Sequence, residues 1–192
     1  MSIAAQSLTI DEYIELEHTT GERHEYLDGE VREMVGGSGP HSLISTNLLV
    51  ALHRQVSRRG CQVHGSDLRI SLPEARGYTY ADIVISDGAP QFVAPKDSLV
   101  NPLVIVEVLS PTTEAHDRGD KFERYRSIDS FQEYLLVSQD RPRIERFVRQ
   151  DDGNWLQKIH ADPQGEIVLE SVDCRLAMAD VYAQVDFSDG KR

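Results

Sequence analysis

Asn101-Pro102-Leu103-Val104-Ile105-Val106-Glu107-Val108-Leu109-Ser110 is the stretch on which the fold turns. Leu103 to Leu109 are seven positions holding six aliphatic residues and one acid. So short an apolar run, closed by Pro102 and Pro111, reads as a strand buried on both faces. An isolated ionised carboxylate is very costly to bury there. Glu107 therefore needs a cation, a metal ion or a proton to share, which makes it a functional-site candidate.

On either side the pattern moves between helix and strand. Thr9-Ile10-Asp11-Glu12 is a capping-box pattern and predicts a helix to about His18. Arg23 to Met34 reads as two short strands around Asp28-Gly29, a tight-turn pair. Gly36, Gly37, Gly39 and Pro40 break the chain. From His41 to Arg59, the residues Ile44, Leu48, Leu52 and Val56 recur at helical spacing, and Gly60 ends that helix. Gln62 to Leu72 reads as one strand or two, Tyr80 to Ser86 as a strand. Glu114 to Ile128 reads as a charged helix with one apolar stripe, and Glu133 to Ser138 as a further strand. Strand, helix and strand from Leu103 to Ser138 suit a crossover connection. Arg143 to Arg149, Asn154 to His160 and Glu166 to Glu170 look like a meander, and Ala177 to Val185 like a closing helix. The order predicts an α/β fold with helices packed on a sheet. With no repeat and no linker, residues 1–192 are expected to form a single domain.

Composition excludes some classes of function. The net charge is −12, and such a surface repels polyanions on average. That opposes loose nucleic-acid binding, where phosphate neutralisation supplies most of the affinity. Arginines and a lysine do cluster, at 54 to 69, 118 to 126 and 141 to 149, as partnered faces or as a docking surface. No stretch is long and apolar enough to span a membrane. Met1 to Ile10 lacks a signal-peptide pattern. Cys61 and Cys174 form neither a metal pair nor a disulfide framework. The cytoplasm is the expected location.

Asp82 lies inside the strand read from Tyr80 to Ser86, and Glu107 inside the next buried strand. Two such acids can converge on one divalent cation. Mg²⁺ takes one or two carboxylates, waters and substrate phosphate, and the Val108 carbonyl is a further candidate ligand. The plainer alternative has Asp82 making a turn contact and Glu107 pairing with an arginine. Asp117, Lys121 and Tyr125 fall four apart, on one helical face. Lys121 could reach back over Glu107, orienting a water or stabilising a pentacovalent phosphate; alternatively Asp117 and Lys121 form an ordinary helical pair. His41 could touch a phosphate, although a histidine at a helix start is more often structural. The histidines show no zinc spacing, the serines no nucleophile-elbow context, and Gly36 to Gly39 lacks the end of a phosphate loop.

The string Ala81-Asp82-Ile83-Val84, then Val106-Glu107-Val108-Leu109-Ser110-Pro111-Thr112-Thr113, then Asp117-x3-Lys121-x3-Tyr125 and Glu133-Tyr134 resembles the Uma2 family, formerly DUF820. Glu25-Tyr26-Leu27-Asp28-Gly29-Glu30 and the helix opening at His41 resemble it too. The likeness runs from about residue 9 to 185, and its order and spacing are more specific than any one motif. It implies the restriction endonuclease-like fold of the PD-(D/E)xK superfamily: a mixed central sheet flanked by helices, here with an N-terminal hairpin and C-terminal antiparallel strands. It also implies Mg²⁺, with Mn²⁺ as the alternative ion, and hydrolysis of phosphodiesters in DNA. Carried over, Asp82 and Glu107 are the two acids, binding metal with the Val108 carbonyl. Lys121 is the catalytic amine, and Glu25, Asp117 and Tyr125 support it. Two positions depart from the superfamily pattern: Ala81 replaces the proline of the "PD" pair, and Leu109 replaces the usual lysine. The alternative is a nuclease-fold module of weak or no activity that binds nucleic acid or a partner protein. A homodimer is a further expectation, since two sites allow double-strand cuts.

Overall fold

The computed structural model describes residues 7–34, 36–73, 77–94 and 98–187. Helix α1 (Ile10–Thr20) starts on a complete capping box: Thr9 accepts from the Glu12 amide, and Glu12 accepts from the Thr9 amide at 2.8 Å. A hairpin of β1 (His24–Leu27) and β2 (Glu30–Glu33) follows. Asp28 and Gly29 turn it, both at positive φ, the geometry that matches strand twist. Helix α2 (Gly39–Val56) is capped by Ser38, runs on as a 3₁₀ turn to Arg59, and stops at left-handed Gly60. Strands β3 (Val63–Gly65), β4 (Arg69–Leu72), β5 (Gly77–Tyr80), β6 (Ile83–Ser86), β7 (Phe92–Val93) and β8 (Ser98–Leu99) lead to β9 (Pro102–Leu109). Helices α3 (Glu114–Arg118) and α4 (Asp120–Tyr125) connect it to β10 (Glu133–Ser138), β11 (Ile144–Arg149) and β12 (Trp155–His160). Strands β13 (Glu166–Leu169) and β14 (Cys174–Ala177) and helix α5 (Met178–Val181) complete the described chain.

Two six-stranded sheets carry the fold, ordered β12-β11-β10-β9-β6-β3 and β2-β1-β5-β4-β8-β7, while β13 and β14 pair apart. Strand β9 lies inside the first sheet, parallel to β10 and antiparallel to β6. All of its residues are buried, as an apolar run between two covered faces requires. Val104, Val106 and Val108 pack with Ile44, Leu48, Leu52 and Val56 of α2 and with β13, β14 and α5. Burying the four α2 side chains contributes on the order of 6–12 kcal/mol, offset by the entropy of ordering them. Ile105 and Leu109 enter the opposite layer, with Phe122 and Tyr125 of α4 and the second sheet. Alternation puts Glu107 on that same face. The mixed sheet with flanking helices agrees with the fold read from the sequence.

Several elements depart from that reading. Tyr80 to Ser86 is two strands in different sheets, and Ala81-Asp82 is the crossing between them. Asp82 is thus outside a strand, and its side chain is released from strand alternation. The charged helix after residue 114 breaks at Gly119, the residue of lowest helix propensity in it. The meander is β10 to β12; the strand near Glu166 leaves it to pair with β14. The closing helix is a single turn. Among the described residues, no helix is long and apolar enough to cross a membrane.

Candidate active site

A cleft of about 680 Å³ opens between the first turns of α2, the β5–β6 crossing and the segment that follows β9. Asp82 and Glu107 meet at its floor. The Val108 amide donates to Asp82 Oδ2 at 2.7 Å, and the Asp82 amide faces Glu107 Oε2 at 3.4 Å. Each acid is thus tied to the backbone beside the other. Lys121 Nζ and the Tyr125 hydroxyl both reach Glu107 Oε1 at 3.0 Å. Lys121 also meets Glu25 Oε1 at 3.2 Å and Asp117 Oδ1 at 3.6 Å. Glu25 accepts from Thr79 and contacts His116 Nε2 at 3.0 Å. All six side chains expected from the sequence therefore converge, although a break in the helix separates Asp117 from Lys121. Val108 lines the cleft with Asp82, Glu107, Asp117 and Lys121, while Glu25 and Tyr125 stand behind them.

Three carboxylates share one ammonium here, with Asp82 close by, and the electrostatics follow. Complete burial pushes Glu107 well above the carboxylate range, helped by Asp117 and Asp82 and opposed by Lys121. Burial likewise raises Asp117, against Lys121 and Thr113. Burial acts against the charge of Lys121, but Glu107, Glu25 and Asp117 outweigh it and hold the amine well above its usual value. Burial would also raise Glu25; Lys121 and hydrogen bonds from His116 and Thr79 bring it down to about 2. The floor holds more carboxylates than cations. Asp82, Glu107 Oε2 and the Val108 carbonyl are the oxygens that could hold a hard cation there.

Two histidines join the site: His41, for which the sequence offered a phosphate contact as the less common role, and His116, which sequence reasoning passed over. His41, in the first turn of α2, places Nε2 3.3 Å from Asp82 Oδ2. Its pKa is raised by the hydrogen bond to Asp82 and by the charge of Asp82 and the Val108 carbonyl, against burial. A Cβ on Gly37 would lie 2.7 Å from His41 Nδ1, so the glycine leaves room for the ring. His116 stands beside Glu25 on the far side of Lys121. Neither carries a ligand-like spacing; the position of His41 just after a Gly/Pro break was the only local signal. Leu109 is buried in the apolar cluster that holds Phe122, Tyr125 and Ile105. The arginine clusters are largely engaged elsewhere, as in Arg118 with Glu114 and Glu145, and Arg146 with Glu133.

Residues 10–179 match the family model of Uma2, described as "Putative restriction endonuclease". The chain belongs to the Uma2 family. Two relatives come from Synechocystis. The uncharacterized protein slr1290 is 34% identical over 180 residues, covering 94% of each chain. The uncharacterized protein sll1609 is 33% identical over 150 residues, covering 78% of this chain and 85% of its own. The crystal structure of "a putative nuclease belonging to DUF820" from Anabaena variabilis matches with a TM-score of 0.74 at 18% identity, over 93% of this chain and 99% of that one. The family resemblance in the sequence is borne out, and this Uma2 chain shares the fold of that structure.

Proposed function

We propose that this Uma2 chain is a metal-dependent endonuclease that hydrolyses phosphodiester bonds in DNA. The reading is carried by one observation: Asp82 and Glu107 meet at the floor of an open cleft, amid more carboxylate than cation. The donors fit the ion. Asp82, Glu107 and the Val108 carbonyl offer hard oxygens, which suit Mg²⁺ or Mn²⁺. Among the described residues, no three carboxylate, imidazole or thiol side chains form a ready metal site. Mg²⁺ asks for less, taking one or two carboxylates and keeping its other positions for water and phosphate. Bound there, the ion supplies a Lewis acid and an acidified water.

The protein's own groups prepare that position. Lys121 and Tyr125 hold Glu107 Oε1, so Oε2 is the oxygen turned towards Asp82. The Val108 amide fixes Asp82. Lys121 faces three carboxylates and holds its proton tightly, so it acts as a fixed charge and not as a base. His41 lines the cleft with its Nε2 against Asp82. The N-terminus of α2 adds its positive end to the same wall, which counters the net negative charge of the chain. A homodimer would present two such clefts to a duplex.

A second reading, a nuclease-fold module of little or no activity, draws support from Leu109 in the apolar layer and from the full engagement of Lys121. A plasmid-nicking assay in Mg²⁺ or Mn²⁺, paired with metal titration calorimetry, separates the two. Wild type is expected to nick, and Asp82→Asn and Glu107→Gln to fail while keeping their circular dichroism. Equal nicking by all three would show the acids misassigned. Metal binding without nicking would select the second reading.

A further inference from the structure

A hydrogen-bonded chain runs inward from the surface of the hairpin to Glu107. Glu25 and Arg32 are directly opposite each other in the β1–β2 ladder, so their side chains leave the same face. His116 of α3 sits between them, with Nδ1 3.1 Å from Arg32 NH1 and Nε2 3.0 Å from Glu25 Oε2. Arginine carries donors only. Nδ1 must therefore accept, and the ring proton lies on Nε2, where it is donated to Glu25. The contact with Arg32 thus selects one tautomer. With Oε2 of Glu25 held this way, Oε1 is turned to Thr79 and to Lys121 Nζ. Lys121 in turn meets Glu107 at 3.0 Å. In the order Arg32, His116, Glu25, Lys121, Glu107, every donor meets an acceptor. Arg32 is 47% exposed and His116 16%, while the other three are buried.

We propose that His116 is a positioning residue: it aims Glu25, and Glu25 aims Lys121 at Glu107. A lysine side chain has four rotatable bonds and about 2 kcal/mol of rotamer entropy, so its ammonium needs fixed acceptors to stay in place. Without the Nε2 proton, Oε2 of Glu25 loses its donor and only Thr79 and Lys121 hold the carboxylate, which can then turn and draw Nζ away from Glu107. Arg32 acts one step further out, by choosing the tautomer. The inference rests on the nuclease reading for its importance to cleavage, but its structural content is independent of that reading.

The test uses ¹⁵N-labelled full-length protein and two resonances. In wild type, the imidazole of His116 is expected to show a bare Nδ1 and a protonated Nε2. Arg32→Met is expected to abolish that single-tautomer pattern. The ¹H–¹⁵N signal of the Lys121 ammonium is expected to shift or broaden in His116→Ala and to return in His116→Gln, whose amide N–H replaces Nε2–H. Nicking is expected to fall by about 10- to 100-fold in His116→Ala with unchanged Mn²⁺ affinity, and to be largely rescued in His116→Gln. A protonated Nδ1 in wild type, or a Lys121 signal unmoved in His116→Ala, would overturn the proposal. A wild type that does not nick, with the resonances as expected, would overturn the nuclease reading and leave the positioning role standing.

Discussion

Lys121→Met removes the one cation that three buried carboxylates share, while keeping most of the side chain's apolar volume. Glu25 sets the scale of the loss. It is held at about 2 against an ordinary 4.5, and, with burial opposing, Lys121 is the largest of the interactions that lower it. That drop corresponds to roughly 3 kcal/mol at neutral pH. Breaking a buried ion pair by deleting one partner costs a similar 3–5 kcal/mol or so. For a chain of this length, 1 kcal/mol moves Tm by roughly 2–4 °C. The variant is expected to melt about 6–12 °C below wild type at pH 7. The sign with pH is fixed: a depressed carboxylate stabilises the fold fully above 4.5, and that contribution is lost as pH falls through about 2. The gap between variant and wild type therefore closes as pH falls across that interval. Thermal melts by circular dichroism at pH 7 and pH 3 check both points. A gap under about 2 °C at pH 7, or one of equal size at both pH values, would refute the view that Lys121 neutralises this cluster.

Glu107→Gln has the opposite pH signature. A carboxylate raised in the folded state stabilises fully below 4.5, and that contribution is lost as pH rises through its folded value; urea titrations are expected to show a flatter decline above pH 4.5 in the variant. Leu109→Lys, which restores the superfamily residue, places an ammonium in the apolar layer beside Phe122. It is expected to cost about 2–5 kcal/mol by urea unfolding and to bring no gain in nicking. Gly77 has φ 141°, and a Cβ there would lie 1.8 Å from the Tyr26 carbonyl oxygen. Gly77→Ala is therefore expected to disrupt the β1–β5 pairing and lose at least about 2 kcal/mol, read by the same unfolding curves.

The elements legible in the sequence were those written in local chemistry. The capping box at Thr9, the turn at Asp28-Gly29, the α2 stripe from Ile44 to Val56 and the apolar run of β9 each need only neighbours in the chain. The second sheet was not legible, because β1, β4 and β8 join it through partners far away in sequence. The break at Ala81-Asp82 was hidden for the same reason: an apolar run gives no sign that its halves belong to different sheets. Within the site, acids buried in apolar surroundings stood out by their cost. His116 did not, and His41 was marked only by its place at a helix start. His116 gains its role from Glu25 and Arg32, 91 and 84 positions away, and His41 from Asp82, across the cleft. Leu109 shares a face with Ile105 and packs in the layer of Phe122 and Tyr125, while Lys121 meets Glu107 from α4.

Asp82 and Glu107 are expected to grip one ion, and crystals soaked in Mn²⁺ test this most directly. An anomalous difference map is predicted to show one strong peak per chain between Asp82 and Glu107, within coordination distance of both carboxylates and the Val108 carbonyl. A map with no peak there at saturating Mn²⁺, or with the ion held by other residues, would contradict it.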